Sequence, residues 1–252
     1  MENNVVDFYR MDSEYMNDSI DRIVVEVHTK KNLYNKKVIL LSGCGSMTGV
    51  TSISINLAIA LSLAGWKTLL IDSDLRKSNK YKRLGTKATI GLSEYLSRQA
   101  SKEEIIHQTN HEFLDYISCG NSETSAVRLL CSAEMNDLMH TVQDEYDYII
   151  IDSPSINIVS DSSILFPVVD GIVLVAALNI TTKRQLDDAR RAVSRYKDKY
   201  YGLIINQVDM KQYKMYMKDY DYFRKKNMEK KHVHDMKKVL KKKVVVSEEE
   251  KS

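Results

Sequence analysis

The sequence predicts a doubly wound α/β fold, a mostly parallel sheet flanked by helices. Two observations carry this expectation. Short runs of Val, Ile and Leu are apolar almost throughout, and longer amphipathic stretches separate them. A strand covered on both faces needs apolar residues at nearly every position, not at alternate ones. Strands that alternate with helices pair in parallel through crossover connections. Ligands of such sheets bind at the carboxyl ends of the strands.

The elements follow in order. Residues 1–35 form an N-terminal segment in which Ser19–Val27 reads as one short helix between polar flanks. The first strand is Lys37–Ser42 (KVILLS), followed by a helix over Thr51–Ala64. Thr51 and Ser52 open that helix, and Gly65 sits where a left-handed residue would end it. Further strands are Lys67–Asp72 (KTLLID), Leu114–Ser118, Tyr146–Asp152 (YDYIIID), Gly171–Ala177 (GIVLVAA) and Gly202–Asn206 (GLIIN). Helices are expected over Ala126–Val142 and Thr181–Tyr196. No internal repeat is visible. Residues 36–210 thus form the sheet domain, and 211–252 a tyrosine- and lysine-rich terminal helix and tail.

Composition agrees with one core plus a tail: 252 residues, 43% hydrophobic, with only two prolines and nine glycines. No apolar run reaches the roughly 20 residues that cross a bilayer. Met1–Arg10 carries acidic residues and no apolar core, which argues against a secretory signal. Cys44, Cys119 and Cys131 are odd in number and lack metal-ligand spacing. They read as ordinary thiols of a reducing compartment, so a cytoplasmic location is expected. Charge is uneven. Lys211–Ser252 carries 14 Lys+Arg and 7 Asp+Glu, a balance of +7 within a chain of +3, which leaves −4 for the rest. A basic arm of this kind is either a solvated tail or a contact for anionic lipid headgroups. Nucleic acid is not expected as a partner.

The chemistry begins in the loop after the first strand, LLSGCGSMTGVTS. A strand, a glycine-rich turn and a helix N-terminus aim backbone N–H groups at phosphate. Gly43, Gly45 and Gly49 supply the turn, and Thr51-Ser52 stand where a hydroxyl would hold Mg²⁺. The signature G-x-x-x-x-G-K-[ST] is incomplete. Cys44 replaces its first glycine, and Val50 replaces its lysine. A plain strand–turn–helix would explain this loop equally well on its own.

The second strand runs into LLIDSDLRK, and the fourth ends in YIIIDSPS. Asp72, Asp74 and Asp152 therefore sit at strand ends beside the loop. Alternate residues of a strand point to one side. Carboxylates converging near phosphate can hold Mg²⁺, and one can accept a proton. The bland alternative is that each caps a loop or helix.

These motifs resemble those of the bacterial tyrosine kinase (BY-kinase) family of capsule and exopolysaccharide biosynthesis, a branch of the deviant P-loop ATPases related to Min and Par proteins. The resemblance spans about Ser19 to Tyr222. LLIDSDLRK matches the family's second acidic motif (Walker A′), and YDYIIIDSPS its Walker B motif. GLSEYL at Gly91, RLLCSAEMNDLM at Arg128, DSSILFPVVDGIVLV at Asp161 and GLIINQVD are further landmarks. The resemblance implies ATP and Mg²⁺ as cofactors and phosphoryl transfer to tyrosines, chiefly in a tail of a neighbouring subunit. Thr51, Asp72 and Asp152 would organise the metal, Asp72 and Asp74 would help activate the tyrosine hydroxyl, and Asn206 would lie near the adenine. It also implies a membrane-embedded polysaccharide co-polymerase or modulator as partner, with the kinase at the inner face of the cell membrane.

Four departures qualify the resemblance. Val50 offers neither charge nor hydrogen bond to phosphate, and no lysine lies between Lys37 and Lys67 to replace it. Met47 stands at a usual glycine, and the early signature lysine of deviant loops is absent. Of the ring-forming E-x-x-R-x-x-R motif, the stretch Ser19–Val25 keeps Arg22 alone, so a homo-oligomeric ring is weakened. Tyr213, Tyr216, Tyr220 and Tyr222 occupy the place of the phosphorylated cluster. Tyr213, Tyr216, Tyr220 and Phe223 also have helical spacing, which a packed aromatic stripe would explain. The expectation is a BY-kinase-like protein. The alternatives are a pseudokinase acting as a regulatory partner and a Min- or Par-like ATPase.

Overall fold

The structure, a computed structural model, describes residues 5–9, 14–76, 90–121, 125–209 and 211. The chain divides into two compact units, 1–207 and 208–252. Of the second, only Val208, Asp209 and Lys211 are described. The four tail tyrosines therefore lie outside the described residues.

The first unit is built on a sheet of seven strands among the described residues. They are β1 (Val38–Gly43), β2 (Thr68–Asp72), β3 (Ile106–Gln108), β4 (Leu114–Ile117), β5 (Tyr148–Ser153), β6 (Gly171–Ala177) and β7 (Tyr200–Asn206), in the spatial order β3-β4-β2-β5-β1-β6-β7. Every pairing is parallel except β3 with β4. The expected doubly wound, mostly parallel sheet is present. β3 was not legible in the pattern, because three residues (Ile-His-Gln) at a sheet edge are too few to show a period.

Helices cover both faces. They are α1 (Glu14–Tyr34), α2 (Val50–Leu63), α3 (Leu92–Leu96), α4 (Lys102–Ile105), α5 (Ala126–Leu130), α6 (Ala133–Glu145), α7 (Asp161–Ile164) and α8 (Lys183–Val193). Strand alternation divides the core. Ile39, Leu41, Leu70, Ile150, Val173 and Val175 pack with α2 and α1, while Leu40, Leu69, Ile71, Ile149, Ile151 and Leu174 pack with α6 and α8. Each such side chain contributes roughly 1.5–3 kcal/mol when fully buried.

Two expected helices need correction. Ser19–Val27 is the middle of a 21-residue helix. Its half-buried or buried residues Met16, Ile20, Ile23, Val24 and Val27 repeat at helical spacing and lie on the α2 cluster. Exposed Val25, Leu33 and Tyr34 blur that stripe in the sequence. The single helix over Ala126–Val142 is two, because Ser132 adopts extended geometry (φ −75°, ψ 161°) as the N-cap of α6. Gly65 behaves as expected. It takes φ +85° and closes α2 with Gly65 N–H to Ser62 O (2.9 Å) and Trp66 N–H to Leu61 O (3.3 Å).

Candidate functional site

The carboxyl ends of β1, β2, β5, β6 and β7 share one edge of the sheet, and β1 is followed there by residues 44–49 and the N-terminus of α2. Alternation places Asp72 beyond Leu70 and Asp152 beyond Ile150, on the face covered by α2. The two carboxylates are level: Asp72 pairs with Asp152, which in turn pairs with Leu41 of β1. Both are buried, at 7% and 3% exposure. The Ser54 hydroxyl on α2 lies 3.2 Å from Asp152 Oδ1. Asp74 is half-buried, and its N–H donates to Asp72 Oδ1 at 3.1 Å.

The metal ligands expected from the sequence, Thr51, Asp72 and Asp152, include two carboxylates rather than a cage of acids. Among the described residues, no group of three or more His, Cys, Asp or Glu is placed to hold a metal ion. A phosphate-linked Mg²⁺ needs no such cage, since it commonly takes one or two carboxylates and completes its shell with phosphate and water. Asp72 and Asp152 are two buried carboxylates level across adjacent strands, and Thr51 lies in the first turn of α2, the helix whose Ser54 meets Asp152.

The loop is held from outside by its carbonyls. Asn157 Nδ2 donates to Cys44 O (2.7 Å), the Ser155 hydroxyl to Gly45 O, Gln207 Nε2 to Met47 O (2.7 Å) and Asn206 Nδ2 to Thr48 O (2.8 Å). Ile156 N–H reaches Gly43 O at 3.1 Å. Peptide planarity then turns the N–H groups the other way. Among the described residues, no backbone N–H from Gly45 through Ser52 makes a well-formed hydrogen bond. A run of undonated N–H groups leading into a helix N-terminus is an anion cradle. The roles of Ser155, Asn157 and Gln207 as braces were missed by sequence reasoning, although Ser155 closes the DSPS motif and Asn157 lies two residues beyond it.

Backbone geometry shows what the loop asks of its residues. Gly49 has φ +77°, and a Cβ there would come within 2.4 Å of Asn206 Nδ2, so only glycine fits. Met47 has φ +57° without being glycine, while its side chain is 79% exposed. Met47 thus holds a left-handed backbone that a residue with a Cβ disfavours.

Val50 opens α2, and its half-buried side chain packs against the apolar cluster under α1 and α2. Among the described residues, no lysine or arginine makes a hydrogen bond or ion pair with residues 44–52. The buried thiol of Cys44 is pushed up to about 11 by desolvation, which the more distant charge of Arg190 opposes. Asn206, expected near an adenine, sits against the loop itself. Arg22 is exposed on α1.

Behind the loop lies a polar lattice. The Ser42, Ser153 and Ser162 hydroxyls gather at the Pro154 carbonyl, with Ser42 Oγ at 2.7 Å and the Ser153–Ser162 contact at 2.8 Å. Next to Ser162, buried Asp161 accepts both prongs of Arg76, Nε at 2.6 Å and Nη2 at 2.9 Å. The pair holds Arg76 protonated above its usual range, first through the hydrogen bonds and then through the Asp161 charge.

Three comparisons with known proteins bear on the family and the fold. A family model described as an AAA domain matches residues 36–183. Tyrosine-protein kinase CpsD of Streptococcus pneumoniae serotype 4 is 34% identical over 175 residues, covering 69% of this chain and 77% of that protein. Tyrosine-protein kinase YwqD of Bacillus subtilis is 34% identical over 171 residues, covering 68% and 72%. The kinase domain of Escherichia coli tyrosine kinase ETK superposes with a TM-score of 0.70 over 77% of this chain and 78% of that one; at 22% identity it speaks for the fold alone.

Proposed function

The chain belongs to the bacterial tyrosine kinase family, and from that footing we propose that it binds Mg·ATP and transfers the γ-phosphoryl to tyrosine, at a rate lowered by Val50. The observation that carries the proposal is the loop whose carbonyls at Cys44, Gly45, Met47 and Thr48 are taken from outside, while among the described residues its N–H groups from Gly45 to Ser52 make no well-formed hydrogen bond. That arrangement offers phosphate a binding surface independent of any side-chain charge.

Thr51, Asp72 and Asp152 would hold Mg²⁺, which when bound neutralises phosphate charge during transfer. Gly45, Gly49, Val50, Thr51 and Ser52 contribute backbone amides to the phosphates, and Asn206 fixes the loop they belong to. Asp74, assisted by Asp72, takes the proton of the incoming tyrosine hydroxyl. Absence of the lysine removes a charge-assisted contact where charge develops, about 3 kcal/mol or 10²- to 10³-fold in rate. A pseudokinase reading is favoured by one observation: Val50 is part of the apolar packing of α2, so the chain has accommodated the loss.

The biological setting rests on the family resemblance: capsule or exopolysaccharide synthesis in the cytoplasm, at the inner membrane face, with a membrane-embedded co-polymerase or modulator as partner. The basic arm of residues 211–252 supports contact with anionic lipid. Arg22 alone supports only a weakened homo-oligomer. Acceptor tyrosines are Tyr213, Tyr216, Tyr220 and Tyr222.

The test is a titration of the full chain with a fluorescent ATP analogue and Mg²⁺, followed by detection of phosphotyrosine. Binding with slow phosphorylation that Asp74→Asn abolishes supports the proposal. Absence of binding in both the natural chain and Val50→Lys would sink it.

A further inference from the structure

We infer that Arg76 and Asp161 are a positioning pair, which clamps the segment carrying Asp74 to the lattice beneath the phosphate loop. The inference rests on the kinase reading above, in which Asp74 acts on the acceptor hydroxyl. Asp74 stands between two anchors. On one side, Ser73 N–H and the Ser73 hydroxyl both donate to Asp152 O, each at 2.9 Å, fixing the segment to the end of β5. On the other, the Arg76 guanidinium grips Asp161 with two parallel bonds. Asp74 N–H to Asp72 Oδ1 and Leu75 N–H to Ser73 O fold the backbone between them.

The geometry assigns the pair more than a surface contact. Asp161 is fully buried, while the Arg76 side chain is 49% exposed, so the guanidinium comes in from outside to meet a buried carboxylate. A two-pronged arginine–carboxylate pair fixes orientation as well as distance. Its anchor adjoins Ser162, which bonds to Ser153 at 2.8 Å and to the Pro154 carbonyl. Position is thereby passed from the ends of β1 and β5, through α7, to the residue two places after Asp74. A displacement of about 1 Å in a reacting group costs up to roughly 100-fold in rate, so such a clamp would act on turnover more than on nucleotide affinity. Sequence reading placed Arg76 within Walker A′ and Asp161 at the start of a family landmark, but gave neither a role.

The experiment uses the full chain in the natural and the Val50→Lys backgrounds, with Arg76→Lys, Arg76→Gln, Asp161→Asn and the double variant R76Q/D161N. The double variant guards against a folding failure caused by one buried charge left alone. Kd for Mg with the fluorescent ATP analogue, kcat for tyrosine phosphorylation and amide exchange at residues 73–75 are measured. The expected result is kcat lower by about 10- to 100-fold in every variant with Kd changed less than about 3-fold, the double variant being no worse than either single one. Exchange at Asp74 and Leu75 should quicken by about 10-fold, whereas Ser73, pinned separately, should not follow. Unchanged kcat and exchange would overturn the inference. So would additive losses in which Kd, kcat and melting temperature fall together, since those mark a merely structural pair. If the Val50→Lys parent neither binds nucleotide nor phosphorylates, the kinase reading fails, and exchange at Asp74 and Leu75 still decides whether the clamp exists.

Discussion

The Asn206 side chain donates its amide to the Thr48 carbonyl at 2.8 Å and lies against Gly49, where a Cβ would meet Asn206 Nδ2 at 2.4 Å. The end of β7 thus braces the loop between β1 and α2 from outside. Asn206→Ala removes one such brace, worth about 1 kcal/mol. Affinity for Mg·ATP should fall by roughly 5-fold, the equivalent of that energy, when the variant is titrated beside the natural chain. An unchanged Kd would show that the loop holds its shape without this contact.

Met47 gives a prediction of opposite sign. With φ +57° and an exposed side chain, it has strain to lose and little packing to forfeit. Met47→Gly should stabilise the chain by about 1 kcal/mol. In a domain of this size that raises the melting temperature by roughly 2–4 °C. A lower melting temperature by calorimetry would mean that the Met47 side chain makes contacts of value.

Most of the framework was readable because it obeys simple periods. Near-continuous apolar runs marked the buried parallel strands β1, β2, β5 and β6, and Gly65 marked the end of α2. Asp72 and Asp152 were legible as strand-end acids, and the structure sets them level on adjacent strands. What escaped was long-range. Asn157 to Cys44 O and Gln207 to Met47 O join residues more than 100 positions apart, and no local pattern announces such contacts. The length of α1 escaped for another reason: exposed Val25 and Leu33 fill the polar side of its stripe.

Asp147 ties three elements together. Its Oδ1 accepts from Lys31 Nζ at 3.0 Å and its Oδ2 from Lys67 N–H at 3.0 Å. Partial burial pushes this carboxyl up, but the Lys31 bond, the Lys67 N–H and the nearby lysine charges outweigh it and hold it below its usual value. A depressed folded-state value gives stability that is present above the unfolded value of about 4 and lost as pH falls through the folded one. Because the side chain is 46% exposed, screening limits the electrostatic part to below about 1 kcal/mol. Asp147→Asn should therefore lower the urea midpoint at pH 7, with the difference shrinking towards pH 3. A difference that grows on acidification would contradict this.

The cysteines differ in environment and should differ in reactivity. Cys44 and Cys119 are buried and Cys131 is exposed, and burial keeps the Cys44 thiol protonated to about 11. Since the thiolate is the reactive form, one thiol should react quickly with a disulfide reagent at pH 8 and all three after denaturation. Cys131→Ser should abolish the fast phase. Fast labelling of Cys44 would show that the loop opens far more readily than its four side-chain braces imply.

Whether a backbone cradle survives without its lysine is tested most directly by the Kd of the full chain for Mg with a fluorescent ATP analogue, measured beside Val50→Lys. Measurable binding by the natural chain is expected, tightened by restoration of the lysine, together with a rise of roughly 10²- to 10³-fold in tyrosine phosphorylation. No binding by the natural chain alongside firm binding by Val50→Lys would contradict it, because the amides from Gly45 to Ser52 would then be unable to hold phosphate alone.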